Sequence, residues 1–133
     1  MMPEEMSSSF SPKQMLWAGY ILSALPTLLL LFSGAMKLVK PPSVMEGFVR
    51  LGYDESLALG IGLVELVCTI LYLVPRTSVL GAILLTGYLG GATATHLRIG
   101  EPYYAAVLLG VLVWGGLFLR EERLRVLIPL RKW

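Results

Sequence analysis

Apolar residues fill the chain in four long blocks separated by short polar stretches, and within each block they run continuously. Between Lys13 and Lys37 lie 23 uncharged residues, between Arg76 and Arg98 lie 21, and between Glu101 and Arg120 lie 18. Each run is close to or above the roughly 20 residues that a helix needs to cross a hydrocarbon core. A fourth run, Leu57 to Val74, is interrupted only by Glu65. The two-residue alternation of barrel strands is missing, so the pattern predicts helices over 14–37, 57–74, 78–97 and 103–119. The expected fold is all-α, an integral membrane four-helix bundle with a short amphipathic interfacial helix between spans one and two.

That interfacial helix rests on the first connection, VKPPSVMEGFVRLGYDES. Pro41-Pro42 stop span one, Ser43 and Glu46 have capping-box spacing, Val44, Met45, Phe48 and Val49 recur at helical spacing, and Gly52 ends the turn. Asp54 or Ser56 is then the cap of span two. Pro26 inside span one predicts a kink. The short LVPRTS turn, with Pro75 and Arg76, makes spans two and three antiparallel neighbours. Span three is rich in small residues, Gly81, Gly87, Gly90 and Gly91, of which Gly87 and Gly91 form a small-xxx-small pair that predicts close helix packing. Residues 1–13 read as a flexible cytoplasmic N-terminus, 14–119 as the membrane domain, and 120–133 as a basic, partly amphipathic tail suited to an anionic inner surface.

Composition agrees with a bilayer as solvent. The chain is 56% hydrophobic and 15% charged, with a mean hydropathy of +0.72, outside the balance of soluble domains. Ser33-Gly34-Ala35 resembles a signal-peptidase site, but the apolar run before it exceeds the usual 7 to 15 residues, so it reads as a retained span. Seven basic residues fall on the side of the two termini and four on the other, which under the positive-inside rule puts both termini in the cytoplasm of a multi-pass inner-membrane protein. The bilayer is thus the first partner. Basic residues at span ends do not form a nucleic-acid patch.

Glu65 carries the sharpest chemical signal, because an ionisable group inside a span must be paired, neutral or hydrated. It lies eight residues past Leu57, roughly 12 Å below the outer surface at helical rise. Spans one and three run outward to Lys37 and His96, so the depths match, and Lys37, Glu65, His96, Arg98 and Glu101 can converge in the outer half. Thr93 and His96 share a helix face and could wall such a site. Three readings stay open: an ion pair that only fixes helix register, a polar ligand pocket, or a proton or ion relay.

Other chemistries find no support. One cysteine, Cys68, and one histidine cannot build a closed metal site, although a homodimer could present two axial histidines. No metal is expected, and catalytic residues are unassigned, since no nucleophile elbow or phosphate-cradling loop occurs. A small transporter would have to be a homo-oligomer, and no inverted repeat supports it.

The stretches FSGAMKL, PPSVMEGFVRLGY, GIGLVELVCTILYLVPR and GAILLTGYLGGATATHLRIGEP, within residues 32–119, resemble the DoxX-like family of small four-helix membrane proteins. The resemblance rests on a glycine and lysine closing span one, an acidic residue in span two followed by Pro-Arg, and GGA-x-x-THLR. It marks Gly34, Lys37, Glu65, Pro75, Arg76, Gly90, Gly91, Thr95, His96 and Arg98 as motif positions. The family is named for a small subunit of a thiosulfate:quinone oxidoreductase, which implies an accessory or anchoring subunit beside a redox partner. The expected ligand is a quinone or small anion held by Lys37, Glu65, His96 and Arg98, with no intrinsic cofactor. The alternative is a scaffold or assembly factor that binds no ligand.

Overall fold

The computed structural model describes residues 11–127, and among these every regular element is helical. The N-terminal segment 1–10 and the end of the basic tail, 128–133, lie outside the described residues. Four long helices are joined by short connections: α1 (Pro12–Val39), α3 (Leu57–Leu73), α4 (Ser78–Arg98) and α5 (Tyr104–Arg120). Two short ones accompany them, α2 (Pro42–Arg50) and α6 (Glu122–Leu127), and a 3₁₀ turn over Pro75–Thr77 links α3 to α4.

Local chemistry explains the boundaries. Ser11 and Gln14 cap each other's backbone N–H groups at 3.0 and 3.1 Å, so α1 starts at Pro12, ahead of the expected position. The helix then runs through Pro26 without interruption. The capping box expected from Ser43 and Glu46 is not formed: α2 begins at Pro42 behind Pro41, with no side-chain cap, because proline already supplies a helical φ and lacks the orphan N–H. Gly52 and Gly100 each end a helix at positive φ, with the N–H of the next residue bonding five residues back, as in a Schellman motif. Ahead of α3, the Ser56 N–H donates to the Asp54 carboxylate at 3.0 Å and holds that carboxyl below its usual range.

The long helices pack in a closed ring, α1 against α3 and α5, and α4 against the same two. Glycine sets how closely they approach. At Gly81 an added Cβ would run into the backbone of Leu71 and Tyr72, and at Gly19 it would lie 2.7 Å from the Arg120 nitrogen. Gly34 and Gly62 cross in the same way, each tight against the other's carbonyl at 3.0–3.3 Å. The close approach expected at Gly87, Gly90 and Gly91 is not made, since a Cβ at any of them meets nothing within 4 Å. The buried residues of α4 are Ser78, Gly81, Ala82, Leu85 and Leu89. Beyond Leu89 no residue of the helix is fully buried, and Ala92, Thr93, Thr95 and His96 are half-buried.

Burial is sorted in the opposite sense to a water-soluble domain. Ser23, Thr27, Glu65, Thr69 and Ser78 are buried alongside Leu30, Tyr72, Leu85 and Leu117. Leu25, Leu28 and Phe32 on α1, Val64, Val67 and Ile70 on α3, Leu80 and Ile83 on α4, and Val107, Leu108 and Val111 on α5 are exposed. Such a continuous apolar exterior far exceeds what a soluble monomer presents. Two helices, Pro12–Val39 and the segment Pro75–Arg98, are long and apolar enough to cross a membrane.

A contrast between glycines tests this packing. Gly81→Ala should destabilise the protein by about 2 kcal/mol, since its Cβ meets backbone that cannot rotate away. Gly90→Ala should be neutral or stabilise by up to about 1 kcal/mol through helix propensity. Thermal unfolding in detergent, followed by circular dichroism, checks both.

Candidate functional site

At one end of the ring α2 lies across the helices and a cavity of about 600 Å³ opens beneath it. Its lower wall is apolar, with Leu29 and Leu30 from α1, Ile61 from α3, Leu89 from α4, and Ala106 and Leu109 from α5. Val44, Gly47, Phe48 and Leu51 roof it, Ser33, Lys37, Tyr53, Glu65, Tyr88, Thr95 and His96 supply polar groups, and Arg50 stands at its exposed rim.

Glu65 is the centre of these groups, with its side chain 2% exposed. The Gly34–Gly62 crossing brings α1 onto α3, and Lys37, one turn beyond Gly34, reaches the carboxylate. Lys37 Nζ sits 2.8 Å from Glu65 Oε1 and donates to Ser33 Oγ at 2.7 Å. Ser33 Oγ and Tyr88 OH donate to the same Oε1 at 3.3 and 2.8 Å. Three helices therefore converge on one oxygen. The other oxygen, Oε2, accepts no hydrogen bond among the described residues.

His96 has its Nδ1 2.8 Å from the Ala92 carbonyl. A carbonyl only accepts, so Nδ1 carries the proton, and in the neutral ring Nε2 is an acceptor. Thr95 donates to the Gly91 carbonyl at 2.7 Å, and Tyr53 OH donates to Thr95 at 3.0 Å. Thr93 folds back in the same way on the Leu89 carbonyl and does not line the cavity.

Two charged residues expected at the site are placed elsewhere. Arg98 Nη2 donates to the Leu51 carbonyl at 2.6 Å, beside Gly52, and is not part of the cavity wall. Glu101 pairs with Arg50 at the exposed rim. Both tie the C-terminal end of α2 to that of α4, because exposed carbonyls and a solvated carboxylate satisfy an arginine there more readily than a buried site does. Pro75 and Arg76 lie in the 3₁₀ turn at the opposite end of the ring. Gly34 serves helix crossing, Gly91 lines the cavity, and Gly90 faces outward.

Ser33, Tyr53 and Tyr88 belong to the site although their sequence context did not mark them. Helical periodicity placed Ser33 four residues before Lys37, and that spacing was the available signal. A second polar cluster occupies the opposite end of the ring. Tyr72 OH donates to the Val113 carbonyl at 2.7 Å and accepts from Ser23 at 2.9 Å, while Arg120 donates to the Tyr72 carbonyl at 2.6 Å and lies 4.3 Å from its ring centroid. Cys68 is buried and free. Among the described residues no three His, Cys, Asp or Glu side chains converge to hold a metal ion.

The profile of the DoxX-like family matches residues 21–116, which covers most of the four long helices and every residue that lines the cavity. The chain belongs to the DoxX-like family. No curated protein and no solved structure gives a significant match.

A substitution series measures the ion pair. Lys37→Met leaves a buried carboxylate without its cation and should cost on the order of 3 kcal/mol. Adding Glu65→Gln to that variant should recover more than half of the loss. A double-mutant cycle on thermal stability in detergent reads the coupling directly.

Proposed function

We propose that this DoxX-like protein is a four-span inner-membrane protein with both termini in the cytoplasm, and that its cavity holds the head group of a small amphiphile of the quinone class in the outer half of the bilayer. Its role is that of an accessory or anchoring subunit beside a membrane redox partner. The observation that carries the reading is Glu65: a carboxylate secured through one oxygen by Lys37, Ser33 and Tyr88, with the second oxygen free where the protein is hollow.

The apolar exterior supports membrane embedding, since lipid can solvate Leu, Val and Phe on every long helix while the polar side chains pair inside. α3 and α5, at 17 residues each, lie at the short end of the spanning range. A cavity of about 600 Å³ lies within the 300–1,000 Å³ typical of small-molecule sites, and a mostly apolar wall with a few convergent polar groups is their usual make-up. The ring in itself supplies binding and orientation; electron-transfer chemistry would come with the ligand and the partner.

The scaffold reading has its own support, because Glu65 Oε1 links α1, α3 and α4 at one point. Glu65→Gln separates the two. In the ligand reading the variant stays folded and loses at least about tenfold of any quinone-class molecule that co-purifies from native membranes, measured by mass spectrometry against protein. In the scaffold reading its melting temperature in detergent falls and no small molecule raises it. A second test concerns topology: on a Cys68→Ala background, a cysteine at Glu55 or Pro102, both exposed, should react with impermeant maleimide from outside intact cells, and one at Ser11 only after lysis.

A further inference from the structure

The polar hydrogens and lone pairs around the cavity are unevenly used, and the imbalance says what a ligand must bring. Tyr88 and Ser33 spend their hydroxyl protons on Glu65 Oε1. Tyr53 spends its proton on Thr95, and Thr95 its own on the Gly91 carbonyl. The Nδ1 proton of His96 is held by the Ala92 carbonyl. Lys37 has two partners for its three N–H bonds. Arg50 lines the cavity at its exposed rim, with Nε and Nη2 on Glu101 and its remaining N–H groups turned to that rim's solvent-exposed side. Inward of that rim the acceptors left over are Glu65 Oε2 and His96 Nε2, against a single spare N–H on Lys37.

Charge narrows the choice further. The Lys37–Glu65 pair is neutral as a unit. An anion entering the cavity meets the free carboxylate oxygen, and a cation adds net charge to a site whose carboxylate is already matched; both lose hydration without return. A neutral head group with O–H donors suits both acceptors, and its apolar remainder suits Leu30, Ile61, Ala106 and Leu109.

We infer that the cavity selects neutral amphiphiles by hydroxyl donors on the head group, a hydroquinone, phenol or alcohol, with Glu65 and His96 as the two acceptors. The inference rests on the ligand-binding reading above and adds a direction to it: the reduced, hydroxyl-bearing form of a quinone-class molecule is held, and the carbonyl form and small anions are disfavoured. His96 is then a specificity residue whose tautomer is set by its own helix.

The test is anaerobic titration calorimetry on the full chain in phosphatidylcholine nanodiscs, with empty discs subtracted. The probes are hexylhydroquinone, hexylbenzoquinone, the dimethyl ether of the hydroquinone, and octanoate. Hexylhydroquinone should bind about tenfold or more tightly than each of the others, the penalty for leaving a buried acceptor unpaired. Equal or tighter binding of the quinone, the ether or octanoate overturns the donor rule while leaving a binding cavity. Binding of none of the four above empty discs overturns the cavity as a ligand site, and the inference with it. Two variants sharpen the outcome. His96→Ala should lose about tenfold for the hydroquinone and nothing for the quinone, and equal losses for both would show that His96 only shapes the wall. Glu65→Gln, which replaces an acceptor with an N–H donor, should bring the hydroquinone-to-quinone ratio near one; an unchanged ratio also counts against the inference.

Discussion

A carboxylate removed from water is tolerable only when its charge is answered nearby, and the geometry around Glu65 follows from that requirement. The answer is Lys37, but a lysine on one helix reaches a glutamate on another only if the two backbones come close. Gly34 and Gly62 provide that approach: a Cβ at Gly62 would lie 2.9 Å from Lys37 Cβ and 3.0 Å from the Gly34 carbonyl. The small residues and the ion pair are thus one arrangement, in which the crossing delivers the charge and the charge makes the crossing specific. Tyr88 then joins α4 to the same oxygen, at the level where α4 makes its last buried contact through Leu89.

The two ends of the ring solve the burial of polar groups differently. At the end of the 3₁₀ turn, Gly19, Gly81 and Gly116 permit tight backbone contact, and the Tyr72 hydroxyl is saturated by Ser23 and Val113. Arg120 folds over Tyr72, and Arg125 closes the end of α5 by donating to the Phe118 and Leu119 carbonyls at 2.8 and 2.9 Å. At the α2 end the packing residues of α4 run out, its glycines face open space, and α2 covers the gap with Phe48. The cavity is the volume that close packing at one end does not extend to the other.

The all-helical fold was legible because uninterrupted apolar runs of this length have one way to satisfy their backbone. The proximity of Lys37 to Glu65 was legible from helical rise alone, since both lie near the same level on helices whose directions the connections dictate. Other features had no one-dimensional signature. Small-xxx-small spacing marks where helices can approach, not whether a neighbour is there, so Gly87 and Gly91 suggested a contact that Gly81 makes instead. Arg98 and Glu101 lie close in sequence to His96 and suggested one cluster. The Schellman turn at Gly100 redirects the chain after Arg98, and both residues serve the connection to α2. Tyr88 looked like one more aromatic in an apolar run, and only the rotation of α4 about its axis directs its hydroxyl to Glu65.

The least packed part of the ring is also where α2 is attached, and the attachments differ in kind from those elsewhere. α2 is held by Phe48 beneath it, by the Arg98 hydrogen bond to Leu51, by Arg50 on Glu101, and by Tyr53 on Thr95. All three polar ties run to the last turns of α4 or the residues just beyond, the segment past its last fully buried residue, Leu89. Roof and wall are therefore fastened to each other by side-chain hydrogen bonds, with Phe48 as the buried apolar anchor of the roof. Local stability follows buried apolar contact, and such contact is concentrated toward the Tyr72 end, in Ala82, Leu85, Val113 and Leu117. The ion pair stays matched because the backbones that carry it are closely packed, while the cavity beside it is left open at the rim. The tight α1–α3 crossing fixes Glu65 and Lys37, and the cover is tied to the last turns of α4 and the residues after them by side-chain hydrogen bonds.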